Sequence, residues 1–303
     1  DLHLSIRRQR QMCIRDSVEE AQKKGIKFGI WIEPEMVNPK SELYEKHKDW
    51  VIHLPNRDEY YFRNQMVLDL TNPKVQDYVY GVVDNLMTKY PGIAYFKWDC
   101  NSPITNIYSP YLKDQQSHLY IEYVRGLYNV LERIKQKYPN LPMMLCSGGG
   151  GRCDYEALKY FTEFWPSDNT DAVERIFIQW GYSHFFPAKS MAAHVTSWGK
   201  QPVKFRTDVA SMCKLGFDIR IHEMSQTDQQ YCKEAVANFK RLFKIPTQGG
   251  KLGLAEKSAS RKMLMQDYGL NESFFKEIDI SVKRNCRTQN DICLLYTSPS
   301  PRD

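Results

Sequence analysis

The sequence predicts an α/β fold, a (β/α)8 TIM barrel that is incomplete, and three observations predict it. Short apolar runs rich in aromatic and β-branched residues alternate seven times with helix-prone stretches between residues 18 and 243. Alternating β and α units imply a parallel sheet. Two of the runs end in an aspartate, Asp99 and Asp168, and the C-terminal end of a strand is where such barrels keep their chemistry. Finally, seven units are one short of eight, which places the first strand before residue 18. A doubly wound open sheet is the runner-up.

Each element has a local reason. Residues 18–24 are charged and helix-prone, and Gly25 stops them. Residues 26–32 form a buried strand halted by Pro34. Ser41 caps a short helix reaching His47. Residues 66–70 read as the next strand. Asn72 and Pro73 open a helix to Lys89, with proline in its first turn. The strand at 93–99 precedes a long helix at 115–137. A strand at 142–146 runs into a glycine-rich turn and a helix at 154–160. The strand at 163–168 precedes a helix at 171–182, the strand at 190–196 a helix at 204–215, and the strand at 216–219 a helix at 225–243. Beyond Pro246 the alternation fades. Residues 244–292 are either the start of a C-terminal region or a misread frame.

The two ends read as non-native. Residues 7–17 lack an amphipathic period, as do residues 293–303. Met12 to Ser17 can be written ATG TGT ATA AGA GAC AG, and the reverse complement reads Cys-Leu-Leu-Tyr-Thr, the sequence of Cys293 to Thr297. Both ends resemble translations of a sequencing-library adapter, so residues 1–17 and 293–303 are set aside. The expectation is that the chain is a piece of a longer protein.

Composition narrows the function classes. A hydrophobic fraction of 42% and an aromatic fraction of 13% suit a globular chain with a real core. No apolar run is long enough to cross a membrane. Of the formal charge of +6, half comes from Arg7, Arg8, Arg10 and Arg15 against Asp16. The remainder is no nucleic-acid signature. Cys100, Cys146, Cys153, Cys213, Cys232 and Cys286 form no C-x-x-C pair, which points to a reducing compartment and a cytoplasmic location.

Two carboxylates on different strands are the minimal equipment for glycoside hydrolysis. Lys97 and Asp99 share one face of their strand, because side chains two apart point the same way. An ammonium there would hold Asp99 ionised as a nucleophile. Trp98 points to the opposite face and is packing. The apolar ring of Trp165 beside Asp168 would favour a protonated acid. Asp168 could instead cap a helix, since Asp168-Asn169-Thr170-Asp171 also reads as a cap, and Asp171 is the alternative acid.

Five runs in order carry a resemblance: Trp31-Ile32-Glu33-Pro34-Glu35-Met36-Val37, Arg63-Asn64-Gln65-Met66-Val67-Leu68-Asp69, Lys97-Trp98-Asp99-Cys100-Asn101, Cys146-Ser147-Gly148-Gly149-Gly150-Gly151-Arg152, and Trp165-Pro166-Ser167-Asp168-Asn169-Thr170-Asp171. Together they resemble the bacterial α-galactosidases of glycoside hydrolase family 36, over roughly residues 18–243. The resemblance implies retention through a galactosyl-enzyme on Asp99, with Asp168 as acid/base. It implies that Trp31, Arg63, Lys97 and Asn101 bind the sugar. Cys146, Gly148 and Gly149 would surround its C2 hydroxyl, and Trp165 would wall the acid. α-Galactosides of the melibiose and raffinose type are the implied substrates, with no metal and no cofactor, and the parent protein is expected to be a homo-oligomer. The family's paired aspartates on the first strand and its flanking β-domains have no counterpart here.

Competing readings stand beside these. Trp31 is core by default, Arg63 could pair with Asp69 or Glu35, and Glu33 and Glu35 could be helix-cap acids. The glycine run is not a P-loop, because Arg152 follows it. Close approach of backbone to ligand is the better use of its glycines. Cys100 and Cys146 have no histidine in their motifs to activate a thiol. The same carboxylates would serve galactosyl transfer to a sugar acceptor. A metal hydrolase would need histidines at several strand ends, where only His194 is on a strand, and a non-catalytic sugar-binding remnant would not need both aspartates.

An open barrel exposes sheet edges and apolar strand faces. The 303-residue polypeptide alone is therefore expected to be poorly stable and to show no turnover of an aryl α-galactoside. Measurable turnover would overturn that expectation.

Overall fold

A computed structural model describes the backbone of residues 2–243 and the side chains of residues 13–241. The two C-terminal stretches set apart in the sequence, 244–292 and 293–303, lie outside the described residues. Contacts divide the chain into Asp1–Arg241 and Leu242–Asp303, and the first unit holds all the elements below save the last residues of its final helix.

Helix α1 (Leu2–Lys23) leads into strand β1 (Phe28–Ile32). The helix starts well before Val18, where the sequence places it, because residues 2–17 contain neither glycine nor proline to stop one. Val18 is buried, and Ile14 packs against the same core. Strand β2 (Met36–Val37), helix α2 (Glu42–Lys46) and strand β3 (Met66–Val67) follow. The Ser41 hydroxyl caps α2 by accepting from the Tyr44 N–H at 3.2 Å. Helix α3 (Pro73–Lys89) has Asn72 as its cap and proline in its first turn. Then come β4 (Ile93–Asp99), α4 (Leu119–Lys137), β5 (Met143–Cys146), β6 (Glu163–Phe164), α5 (Ala172–Tyr182), β7 (Ala192–Thr196), α6 (Val203–Ser211), β8 (Lys214–Asp218) and α7 (Gln226–Phe243).

Strands β1, β4, β5 and β6 form one parallel sheet in that order, and β7 and β8 form a parallel pair. A parallel bridge from Phe164 to Met191 links the two. The described residues thus contain six parallel strands, not the seven counted from the sequence. Residues 66–70 are the difference. β1 pairs directly with β4, with Trp31 opposite Lys97, which leaves no slot between them. Met66–Val67 pairs antiparallel with β2 instead, while Leu68 and Leu70 are buried in the core. A short apolar run satisfies either fate. Numbering the strands two to eight therefore loses a member. The expected helix at 154–160 is only a single turn, Ala157–Lys159, and the expected strand at 163–168 shrinks to two residues before Pro166.

The two-residue period of β4 sorts its side chains. Phe96 and Trp98 are fully buried in the layer between sheet and helices, with α3 and α4 supplying Val79, Val83, Val130, Leu131 and Ile134. Tyr95, Lys97 and Asp99 face the other way. A smaller cluster lies on that inner side, made of Met144, Cys146, Trp165 and Ala192 with Tyr95 against it. Below the site, Glu163 of β6 is buried and accepts from the Tyr95 hydroxyl of β4 and from Lys214 Nζ of β8 at 2.5 Å. Among the described residues no helix is long and apolar enough to cross a membrane, and Cys100, Cys146, Cys153, Cys213 and Cys232 are in no disulfide. Cys286 lies outside them.

Helix α4 packs closely on the segment that leads into α3 because Gly126 has no side chain. A Cβ there would stand 1.9 Å from the Leu70 carbonyl oxygen. Gly126→Ala is expected to destabilise the fold by about 1–3 kcal/mol through overpacking. Urea denaturation checks this, and an unchanged midpoint would mean that α4 and the Leu70 backbone can move apart freely.

Candidate functional site

Asp99 is the last residue of β4 and is 5% exposed. Trp31, on the neighbouring strand, donates its indole N–H to Asp99 Oδ2 at 2.9 Å. The Cys100 backbone N–H donates to Oδ1 at 3.1 Å. Both oxygens are thereby oriented. Trp31 is half exposed, so it is not the core residue that a strand tryptophan would be by default.

Asp168 lies past the end of β6 and is exposed. Its Oδ1 accepts from the Trp165 indole N–H at 2.7 Å. The expected apolar neighbour therefore meets the carboxylate with its one polar atom. Asp168 is not the helix cap. Asp171 is, accepting from the Val173 N–H at 2.9 Å and held from behind by Gln201 at 3.2 Å. Asp171, the alternative acid, is thus engaged with the start of α5.

Lys97 lies on the same face of β4 as Asp99, two residues before it. Its ammonium stands 5.4 Å from the centroid of the Trp165 ring. Its close partner is that ring, not the Asp99 carboxylate that the sequence predicts. The same ring receives the Arg175 guanidinium at 4.7 Å and the edge of His194 at 4.7 Å. Burial pushes the His194 imidazole below its ordinary range, and Asp218 partly offsets this.

Cys146 lies opposite Asp99 in the β4–β5 register. Burial pushes its thiol up to about 12, and the Asp99 charge adds to the effect. Cys100 is shifted well upward by burial, with Glu35 adding to it. Neither is a thiolate at neutral pH, which removes cysteine nucleophiles from consideration. After β5 the chain turns on Gly148 (φ +54°) and Gly149 (φ +84°). A Cβ on Gly149 would stand 2.8 Å from the Pro166 carbonyl oxygen, so two strand-end loops meet there without a side chain between them. The backbone N–H of Gly148 donates to Asn101 Oδ1 at 2.8 Å.

Asn101 in turn donates to Glu33 Oε1 at 3.2 Å, and Gln65 donates to Glu33 Oε2 at 2.6 Å. Glu33 therefore ties the first, second, third and fourth motifs together, and neither it nor Glu35 is a helix cap. The signal was present in the sequence, since Glu33 is two residues from Trp31 and shares its face. Arg63 is the predicted residue that the structure does not bring to the pair. It stands exposed with Asn64 at a two-residue hairpin tip (φ +55° and +58°), the left-handed conformation that tight hairpins require. Neither suggested ion-pair partner is available to it. Asp69 is buried against Thr71 and Ser109, and Glu35 is taken by Arg152.

Glu35 was not singled out by sequence as a site residue, and it is fully buried. Trp98 donates to its Oε1 at 2.7 Å, while Tyr123 and Arg152 donate to its Oε2 at 2.6 and 2.9 Å. Removing the carboxylate leaves a guanidinium and two donors without an acceptor. Glu35→Ala is expected to cost about 3–5 kcal/mol, read as a lower urea midpoint. A loss below about 1 kcal/mol would mean these donors find other acceptors. Among the described residues no cluster of histidine, cysteine and carboxylate side chains could hold a metal ion.

The Melibiase family model matches residues 5–249. A second model, for a domain of unknown function (DUF8491), matches residues 218–298. Among curated proteins, the chain is 40% identical over 234 residues to alpha-galactosidase AgaA of Geobacillus stearothermophilus, across 75% of this chain and 32% of that protein. It is 35% identical over 266 residues to alpha-galactosidase Mel36A of Lactobacillus acidophilus, across 85% of this chain and 36% of that protein. The crystal structure of AgaA matches with a TM-score of 0.73 at 38% identity, over 76% of this chain and 33% of that one. Variants of AgaA are solved with raffinose and with stachyose. The chain spans about a third of the length of the curated relatives it matches.

Proposed function

This chain belongs to the Melibiase family, the α-galactosidases of glycoside hydrolase family 36, and its parallel strands are part of that family's (β/α)8 barrel; from that premise we propose that it is the catalytic portion of a longer retaining α-galactosidase. The observation that carries the reading is the pair of strand-end carboxylates, each held by an indole N–H: Trp31 on Asp99 and Trp165 on Asp168. Two oriented carboxylates on a rigid frame suit double displacement.

In the first half, an Asp99 oxygen attacks the anomeric carbon. The bond to the departing sugar oxygen breaks, and the Asp168 proton goes to that oxygen. In the second half, Asp168 takes a proton from water, and the water oxygen displaces Asp99 from the anomeric carbon. Lys97, Asn101 and the Gly148–Gly149 turn line the inner rim where galactose would sit, with Cys146 as a neutral thiol beside its hydroxyls. Arg63 would act from its hairpin tip on the sugar's outer side. The relatives' complexes with raffinose and stachyose support α-linked galactose at the end of an oligosaccharide as the substrate.

The test uses the full-length enzyme that contains this chain. Asp99→Gly is expected to lower turnover of an aryl α-galactoside by on the order of a thousandfold or more. Added azide should restore turnover and yield a β-galactosyl azide, because it enters the space left by the carboxylate from the same face. An unimpaired variant, or an α-configured azide, would overturn the assignment of Asp99.

A further inference from the structure

Helix α5 carries an unusual residue on its inner face. Arg175 is 2% exposed, and its guanidinium bonds to no carboxylate among the described residues. Nη2 donates to the Ser167 carbonyl at 3.0 Å and Nη1 to the Ala192 carbonyl at 3.3 Å. Its Nε is buried with no hydrogen-bond partner. Its Cζ lies over the Trp165 ring, 4.7 Å from the centroid. Burial brings its pKa down to about 10, so it remains a cation at neutral pH.

A buried cation with no carboxylate bonded to it is costly even with the Asp168 charge acting on it at longer range, and a well-packed apolar side chain of similar volume is often no worse for stability. The cost therefore needs a return that packing does not give. The contacts indicate one. Ser167 immediately precedes Asp168, Ala192 belongs to the next strand, and Trp165 donates to Asp168 Oδ1. One guanidinium thus touches both the residue before that carboxylate and the indole that donates to it. A cation against the indole face also withdraws electron density from the ring and makes its N–H a better donor.

We propose that Arg175 is a positioning residue for Asp168, holding Trp165 and Ser167 so that Oδ1 stays an acceptor and Oδ2 is the oxygen that carries the proton to the departing sugar. The proposal rests on the reading of Asp168 as the acid/base. It separates two oxygens that the bare motif leaves equivalent. A carboxylic acid transfers its proton well only when the proton-bearing oxygen points at the leaving oxygen.

The test measures kcat/KM of the full-length enzyme on two substrates. Raffinose has a poor leaving group that needs a proton, while 2,4-dinitrophenyl α-galactoside releases a phenolate unaided. The kcat/KM value reports only the steps up to the galactosyl-enzyme. Arg175→Met is expected to lose about a hundredfold on raffinose and less than about fivefold on the aryl substrate. Arg175→Lys, which keeps a cation against the ring, should recover about tenfold of the raffinose loss. Trp165→Phe removes only the final N–H and should show the same selectivity, which keeps the test intact if Arg175→Met does not fold. Equal losses on both substrates for Arg175→Met, or no selectivity for Trp165→Phe, would overturn the proposal. Asp168→Ala run alongside separates the two levels. If it is selective and the others are not, only the role of Arg175 fails. If it is not selective, the assignment of Asp168 fails and the positioning role falls with it.

Discussion

A single carboxylate shut away from water, Glu35, fixes how the segments around the site meet. It comes from the turn after β1, and its donors come from β4, α4 and the glycine-rich turn after β5. Burying an ionised group is expensive unless every lone pair is served. Here Trp98, Tyr123 and Arg152 serve it together. None of the three can move without exposing the others' cost, so the strand that ends in Asp99 and the turn that approaches it share one reference point. The neighbouring Glu33 repeats the device at the solvent edge, through Gln65 and Asn101.

The inner side of the strands is organised by the same logic one layer down. Tyr95, Glu163 and Lys214 come from β4, β6 and β8 and meet across the interior. Alternate strands contributing to one layer is how barrels of this kind fill their centre. Above that layer stand Lys97, Trp165 and His194, and above those the carboxylates. The chemistry therefore rests on a stack whose lower course is polar and paired rather than oily. That explains why the inner apolar cluster is small while the outer one, between strands and helices, holds most of the buried side chains.

Much of this was legible in the residues. The strand at 93–99 announced its two faces by alternation alone, and the caps at Ser41 and Asn72 sit where their side chains predict. Asp99 and Asp168 stood out because each ends an apolar run, where barrels of this kind keep their chemistry. What was not legible has physical reasons. Residues 66–70 are apolar enough for a strand, but whether they enter the sheet depends on β1 and β4 pairing directly, a long-range fact. Trp165 was read as an apolar neighbour because its polar atom has no direction in a sequence. Asp168 and Asp171 could each cap a helix, and only the backbone decides between them. Arg175 lies on a helix seven residues past Asp168, and nothing in its spacing points back at the loop it clamps.

The two carboxylates are mounted unequally. Asp99 closes a seven-residue strand paired on both sides. Asp168 hangs beyond a two-residue strand, and its bearing is set by side chains rather than by a ladder. Backbone ladders are hard to edit, whereas side-chain struts can be exchanged one at a time. With Asp168 as the proposed acid/base, lineages or engineers seeking a new leaving group would have a replaceable bracket for one carboxylate and a fixed anvil for the other.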